Sequence, residues 1–279
     1  MDPRAYSNLP VGLNFLLAGY AYSQGELALE GSVPLQDGRT RVHALPLGYV
    51  RSLDVFGNSG NIALVVPLVD LTATGTFDGV TQARRDISGL ADPTLRLAVN
   101  FYGAPALRPA GFRAWRQDLI VGASLAVTAP FGQYDEDRLI NTGSNRWSFK
   151  PELGVSQALG AWTVELAASG TWFTRNNEFF NGNTRSQAPI YSAQMHVTRQ
   201  LGRGVWGAFS LTYYDGGRNS INGVEREQKL GGSRFGLTLS LPVNRQNAIR
   251  LSAHKGVYAR TGSDFEGAGI VWQHVWSDS

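Results

Sequence analysis

The stretch Arg146–Trp172, RWSFKPELGVSQALGAWTVELAASGTW, reads as two strands of opposite direction joined by a tight turn at Ala158–Ala161. Taking every second residue, one face carries Trp147, Phe149, Pro151, Leu153 and Val155, and then Trp162, Val164, Leu166, Ala168 and Trp172. The other carries Ser148, Lys150, Glu152, Ser156, Thr163, Glu165, Ser169 and Thr171. A period of two belongs to β-strands, whose side chains alternate between faces, and excludes an amphipathic helix. The apolar face ends in tryptophan at both edges. The ten steps from Trp162 to Trp172, at roughly 3.3 Å each and a tilt near 40°, rise about 25 Å, the height of an outer-membrane apolar band with its aromatic girdles.

The composition agrees with a wall that is oily outside and wet inside. Apolar residues make up 43% of the 279 and charged residues 17%, so hydropathy is moderate. The longest apolar run, Ile62–Val69, is interrupted by Pro67, which excludes a transmembrane helix. Backbone groups in lipid must be satisfied internally, and a closed barrel is the other way to do so. The 33 glycines suit tight turns and bends in a curved sheet. With no cysteine there is neither a disulfide framework nor a thiolate metal site. The net charge of +3, without a lysine or arginine block, argues against nucleic acid as a partner. The start, MDPRAYSNLP, lacks a charged region followed by an apolar run, so it does not read as a signal peptide; if the protein is exported, this is its mature form.

Outward from the hairpin, period-two segments recur along the whole chain. Strands are expected at about Gly12–Gln24, Val42–Leu53, Ile62–Leu71, Thr94–Phe101, Asp118–Thr128, the two of the hairpin, Tyr191–Thr198, Ala208–Tyr213, Arg234–Leu241, Ile249–His254 and Phe265–Trp276. The first three are apolar on both faces, which leaves their orientation open. That makes twelve, an even number. Short connections at Phe56–Gly60, Ala158–Ala161, Gln200–Gly204 and Pro242–Asn247 alternate with long ones rich in Gly, Asn, Asp and Arg. Short periplasmic turns and long extracellular loops are the outer-membrane arrangement. Gly103–Arg116 is long where a short turn is expected, and Arg260–Asp264 is the reverse. The expected fold is therefore an all-β, twelve-stranded antiparallel transmembrane barrel, one domain over residues 1–279. Residues 1–11 would form a periplasmic or lumen-inserted segment. A soluble binding sandwich also alternates with period two, but large residues continue along one face through all the later strands.

Four segments resemble a known family: GLADPTLR (Gly89–Arg96), NFYGAPAL (Asn100–Leu107), PFGQYDEDRLINTGSNRWSFKPELG (Pro130–Gly154) and GIVWQHVW (Gly269–Trp276). They are similar to the outer-membrane channels of the meta-pathway of phenol degradation, over nearly the whole chain and most specifically over Pro130–Gly154. The resemblance implies a twelve-stranded barrel in the bacterial outer membrane that admits small, often hydrophobic or aromatic, compounds. One departure is the Ser-Asp-Ser after Trp276, where barrels usually finish on an aromatic residue, so the assembly signal would be offset.

The wet faces supply the candidate passage. Arg96, Asn100, Asp118, Lys150, Glu152, Glu165, Gln194, His196, Arg234, Arg250, His254 and Gln273 are expected to line a lumen with a slight positive bias, which would favour anions or neutral polar solutes. They could equally pair with one another and fill the barrel. Twelve strands tilted near 40° give a backbone radius of about 12 Å, so a narrow passage for small solutes remains. Pro151 has no N–H to donate in a sheet without an edge, which predicts a local break in the ladder beside it, either a lateral exit or a bulge. Two plugged forms are open, with Asp2–Pro10 or Thr72–Ser88 folded inside. The histidines His43, His196, His254 and His274 are too scattered for a metal site, and no cofactor is implied. His196 with Ser192 or Ser210 could imitate part of a hydrolase dyad, yet it points inward, away from lipid. The expected function is a monomeric passive channel in contact with outer-membrane lipid and small solutes, and not an enzyme.

Overall fold

In a computed structural model describing residues 3–26, 35–77, 81–226, 229–259 and 265–277, seventeen strands and one short helix follow the chain. They are β1 (Leu13–Glu26), β2 (Leu35–Val55), β3 (Asn58–Phe77), β4 (Thr81–Leu90), β5 (Thr94–Tyr102), α1 (Pro109–Phe112), β6 (Leu119–Thr128), β7 (Ser148–Leu159), β8 (Trp162–Phe173), β9 (Asn176–Phe179), β10 (Asn183–Gln187), β11 (Ile190–Gly202), β12 (Val205–Gly216), β13 (Asn219–Ile221), β14 (Val224–Glu225), β15 (Leu230–Pro242), β16 (Asn247–Ala259) and β17 (Phe265–Ser277). Thirteen of the strands form one antiparallel sheet, and β1 pairs with β17 from Leu13↔Ser277 to Gly25↔Phe265, which closes it. β4 and β5 share a position. β4 pairs with β3 from Leu68↔Leu90 to Phe77↔Thr81, and β5 pairs with it from Gly60↔Val99 to Val65↔Thr94. The ring thus has twelve positions, as the alternation requires.

The chain is inside out relative to a soluble domain. Leu153 and Leu166 are 62% and 55% exposed, while Ser156, Glu165, His196, Thr198 and Ser210 are all buried. Leucines at 45, 47, 64, 68, 95, 97, 125, 237 and 251 join the outward face, which a bilayer rather than water must cover. Two aromatic levels bracket it: Tyr49 against Trp276 near the rim of short turns, and Trp172 against Tyr191, edge to face at 6.1 Å, toward the long loops. Among the described residues no helix is long and apolar enough to cross a membrane.

The short turns are built as expected. At Phe56–Gly57 both residues have positive φ, 52° and 83°, the pairing that lets a two-residue turn follow the twist of its flanking strands. The long connection at 103–118 lies on this same rim, where a turn was expected, because it holds the segment that precedes β1. Val11 N–H donates to the Leu107 carbonyl at 2.9 Å, and Asn8 Nδ2 to that of Pro105 at 3.2 Å. Several strands run longer or lie elsewhere than the alternation indicates. β2 and β3 extend far beyond Val42 and Leu71, and the described parts of Thr72–Ser88, one of the two candidate plugs, are instead the end of β3 and most of β4 in the wall. β9, β10, β13 and β14 form a small second sheet within the long connections. The Arg260–Asp264 connection lies outside the described residues.

Candidate functional site: a polar lumen and the segment folded into it

Register across the sheet carries each polar side chain to a common interior. Ser156, Glu165, His196 and Ser210 are consecutive partners across β7, β8, β11 and β12, and Ala167, Gln194, Thr212 and Arg234 form the next such row. Arg96, Ala126 and Lys150 align on β5 to β7, and Glu152 lies opposite both Ser124 and Ser169. Arg250 opposes Ser240, His254 opposes Gly236, and Gln273 opposes Ala248. Arg96 on β5, and Arg250 and Gln273 on the neighbouring strands β16 and β17, line one cavity of about 490 Å³ in the half of the barrel nearer the short turns. Asn100 is buried at the same wall as Arg96. Asp118 differs: it precedes β6 at the rim and is exposed, with Gln157 Nε2 donating to its Oδ1 at 2.8 Å. β6 starts one residue too late to carry it inward, so it stands at the rim and not along the passage.

Residues 3–10 enter this lumen. The Arg4 backbone N–H donates to Glu165 Oε2 at 2.5 Å, and the Tyr6 hydroxyl donates to Glu152 Oε1 at 3.0 Å. Glu152 is also bridged by Lys150 at 3.2 Å and accepts from Gln194 Nε2. The Tyr6 ring, 2% exposed, lies against inward glycines: a Cβ at Gly154 would fall 2.1 Å from it and one at Gly122 2.8 Å. Only a residue without a side chain admits the ring there. The guanidinium groups of Arg4 and Arg250 each lie 5.4 Å from the Trp206 ring, a cation–π arrangement from the inserted segment and from the wall. Pro3, Arg4, Ala5, Ser7 and Leu9 therefore form part of the cavity's own lining.

Lys150, which bridges Glu152, aside, the wall charges are segregated: Glu152 and Glu165 lie on β7 and β8, whereas Arg96, Arg234 and Arg250 come from β5, β15 and β16. Nη2 of Arg96 and Nε of Arg234 are buried with no acceptor among the described residues. His196 Nδ1 lies 2.7 Å from Ser210 Oγ, beside Glu165, the three side-chain types of a hydrolase triad. Ser210 is 1% exposed, however, so its hydroxyl belongs to the packed wall and is not accessible to a substrate. The other histidines lie apart. His43 meets the Tyr20 hydroxyl at 2.7 Å, and His274 stacks between Trp272 and Trp276.

On the long-loop side, Asp92 in the interruption between β4 and β5 pins residues 129–147 across the mouth. Its Oδ1 accepts from Gly132 N–H at 2.9 Å and its Oδ2 from Ser144 N–H at 2.8 Å. A cavity of about 370 Å³ remains beneath, lined in part by Tyr134, Asn176 and Arg185. Burial pushes the Tyr134 phenol above its ordinary value, against the lowering effect of the Asn176 Nδ2–H that it accepts at 2.8 Å.

The ladder of the wall is interrupted beside Pro151. β7 and β8 pair at Phe149↔Trp172 and resume at Glu152↔Ser169, with the register unchanged and Lys150 and Pro151 skipped. The break that a missing N–H predicts is present, and no residue is inserted, so it is a lapse and not a bulge. A hollow of about 580 Å³ lies over it. It is lined both by outward residues (Leu153, Ala168, Trp172, Tyr191) and by Glu152, Ser169 and Ser192 of the interior face.

A closed ring of twelve positions with an oily exterior and a charged interior defines a channel-type barrel of the bacterial outer membrane. The chain belongs to the family of the MetA-pathway of phenol degradation, which matches residues 21–273. It is similar in structure to an outer-membrane channel from Pseudomonas putida F1, with a TM-score of 0.83 and 21% identity over 99% of this chain and 100% of that one. The β domain of the Bordetella autotransporter BrkA follows at 0.58 and 11%, covering 95% and 100%, and the transport unit of AIDA-I from Escherichia coli at 0.57 and 8%, covering 98% and 92%. At these identities the likeness concerns the fold. No curated protein matches the chain.

Proposed function

We propose that the protein is a narrow passive channel for small molecules, including ones with an aromatic or apolar part, and that residues 3–10 set its width. The observation that carries this reading is the cavity beneath Arg4, where Arg96, Arg250 and Gln273 meet Phe15, Leu17 and Trp206, a lining that offers both cationic donors and apolar surface. The family's association with phenol degradation supports solutes of that mixed character. The hollow over Pro151 supports a side path by which the apolar part could leave toward lipid. No chemistry is performed; the wall replaces lipid by a polar path. Planar-bilayer recording tests the reading: the protein should give small steady currents that rise in Tyr6→Ala. Silence from both proteins, with hydrolysis of lipid esters lost in His196→Ala, would establish an enzyme instead.

A further inference from the structure

The long ends of β1 to β4 and β17 present a third polar feature, on the face opposite to the lumen. Counting along β1, Phe15 and Leu17 line the lumen cavity, so Tyr20, Tyr22, Gln24 and Glu26 face outward. Register extends that face sideways. Tyr22, His43, Asp70 and Ser88 make one row; Gln24, Arg41, Thr72 and Asp86 the next; Glu26, Arg39, Thr74 and Arg84 the last. Glu266 joins the middle row from β17, and Lys255 is within 3.6 Å of it. Arg39, Arg41, Arg84, Lys255, Gln24 and Thr72 together line a recess of about 550 Å³.

Its height on the wall is fixed by the same ruler as the hairpin. Asn14, paired with Trp276 at the lower girdle, is ten residues from Gln24, and ten tilted residues climb about 25 Å, one apolar band. Tyr20 and Tyr22, packed on His43 at 6.1 and 5.1 Å between ring centroids, are the upper girdle here. The recess begins immediately above them, facing outward, at the level where lipid head groups lie. Charge decides what fits. Glu266 is held by Lys255 and by Gln24 Nε2 at 2.7 Å, and Asp86 receives two hydrogen bonds from Arg84, at 2.7 and 2.9 Å. Arg39 and Arg41, both exposed, form no ion pair among the described residues, and the remaining carboxylate of the recess is Glu26. The two lie on one strand two residues apart, about 7 Å, so both guanidinium groups can address one phosphorylated head group. The opposite wall offers aromatic residues at this height: Trp147, Phe149, Trp172 and Tyr191.

We infer that this recess is a binding site for a phosphorylated lipid of the outer leaflet, with Arg39 and Arg41 on its phosphate and Tyr20 and Tyr22 against its acyl chains. The site lies outside the barrel and does not depend on the transport reading.

The test uses the full chain in detergent micelles, titrated with diphosphorylated lipid A, with the same lipid after removal of its phosphates, and with inorganic phosphate. Binding of the diphosphorylated lipid should exceed that of the dephosphorylated one by about tenfold and fall by a similar factor in Arg39→Ser/Arg41→Ser. Arg199→Ser, at an outward arginine over Trp162 near the other rim, should bind as the parent does. Equal affinity for the two lipids, undiminished binding in the double variant, or inorganic phosphate binding as tightly as the lipid would each overturn the proposal. The comparison of lipids needs only the parent protein, so it stands even where the double variant folds poorly.

Discussion

The two sides of the barrel solve the same problem differently. From β17 through β1 to β3 the wall is tall, with β2 and β3 running in register from Val55↔Asn58 to Leu35↔Phe77 apart from one shift near Gln36, and the β1–β2 ladder lapses only at Gly19 and Tyr20, opposite Pro46 and Leu45. Its polar surface lies outside, above the tyrosines. From β6 to β12 the strands are shorter, the polar surface lies inside, and the ladder lapses at Lys150 and Pro151. Long β2–β3 pairing gives the first side its height. On the second, bonds from Glu152 and Glu165 to Tyr6 and Arg4 hold a segment that is not part of the sheet. A wall that anchors an inserted segment carries charge inward to hold it, whereas one that only retains lipid need not.

That contrast can be broken at its anchor first. A side chain at Gly154 cannot coexist with the Tyr6 ring, so Gly154→Val should displace residues 3–7 and raise single-channel conductance by roughly threefold. An unchanged conductance would mean that this segment does not bound the passage. The lapse comes next. Pro151→Val supplies the missing N–H, and uptake of an apolar aromatic solute into proteoliposomes should slow by roughly threefold while ion conductance stays the same. A parallel loss of both would place the solute on the axial route. Segregated charge predicts a smaller change: the parent should prefer anions in reversal-potential measurements, and Arg96→Ser/Arg234→Ser should lower that preference by about twofold. Preference for cations in the parent would refute the assignment of these arginines to the conducting path. On the tall wall, His43→Phe removes the bond to the Tyr20 hydroxyl, and thermal unfolding in detergent should show a loss of about 1 kcal/mol without any change in conductance.

The hairpin was the most legible part of the chain because both of its faces are one-sided. Leu153 and Leu166 face out and Glu152 and Glu165 face in, as period two requires. The first three strands were ambiguous for a reason now visible: Phe15, Leu17, Val50, Ala63 and Val65 line the lumen cavity, so that side of the passage is itself apolar. The upper parts of β2, β3 and β4 rise above the apolar band, where neither face must be oily, and alternation carries no signal there. Asn181–Gly182 and Asn222–Gly223, whose φ values are all positive, were the turn signals that could have revealed the small sheet in the loops. Arg4 and Tyr6 belong to the segment expected to be periplasmic or lumen-inserted, without being singled out, and Trp206 was missed as a lumen residue. A segment outside the sheet has no period to read, and the pair of inward glycines on β6 and β7, Gly122 opposite Gly154, was the one trace it left in the wall.

The seam between β1 and β17 joins Leu13 to Ser277. Those partners are 264 residues apart in the chain. Closure is consequently the most non-local contact of the sheet, and costly in the entropy of bringing such distant segments together. A chain shortened before Phe265 would expose two open edges at once and would be recovered as aggregate, not as a smaller ring.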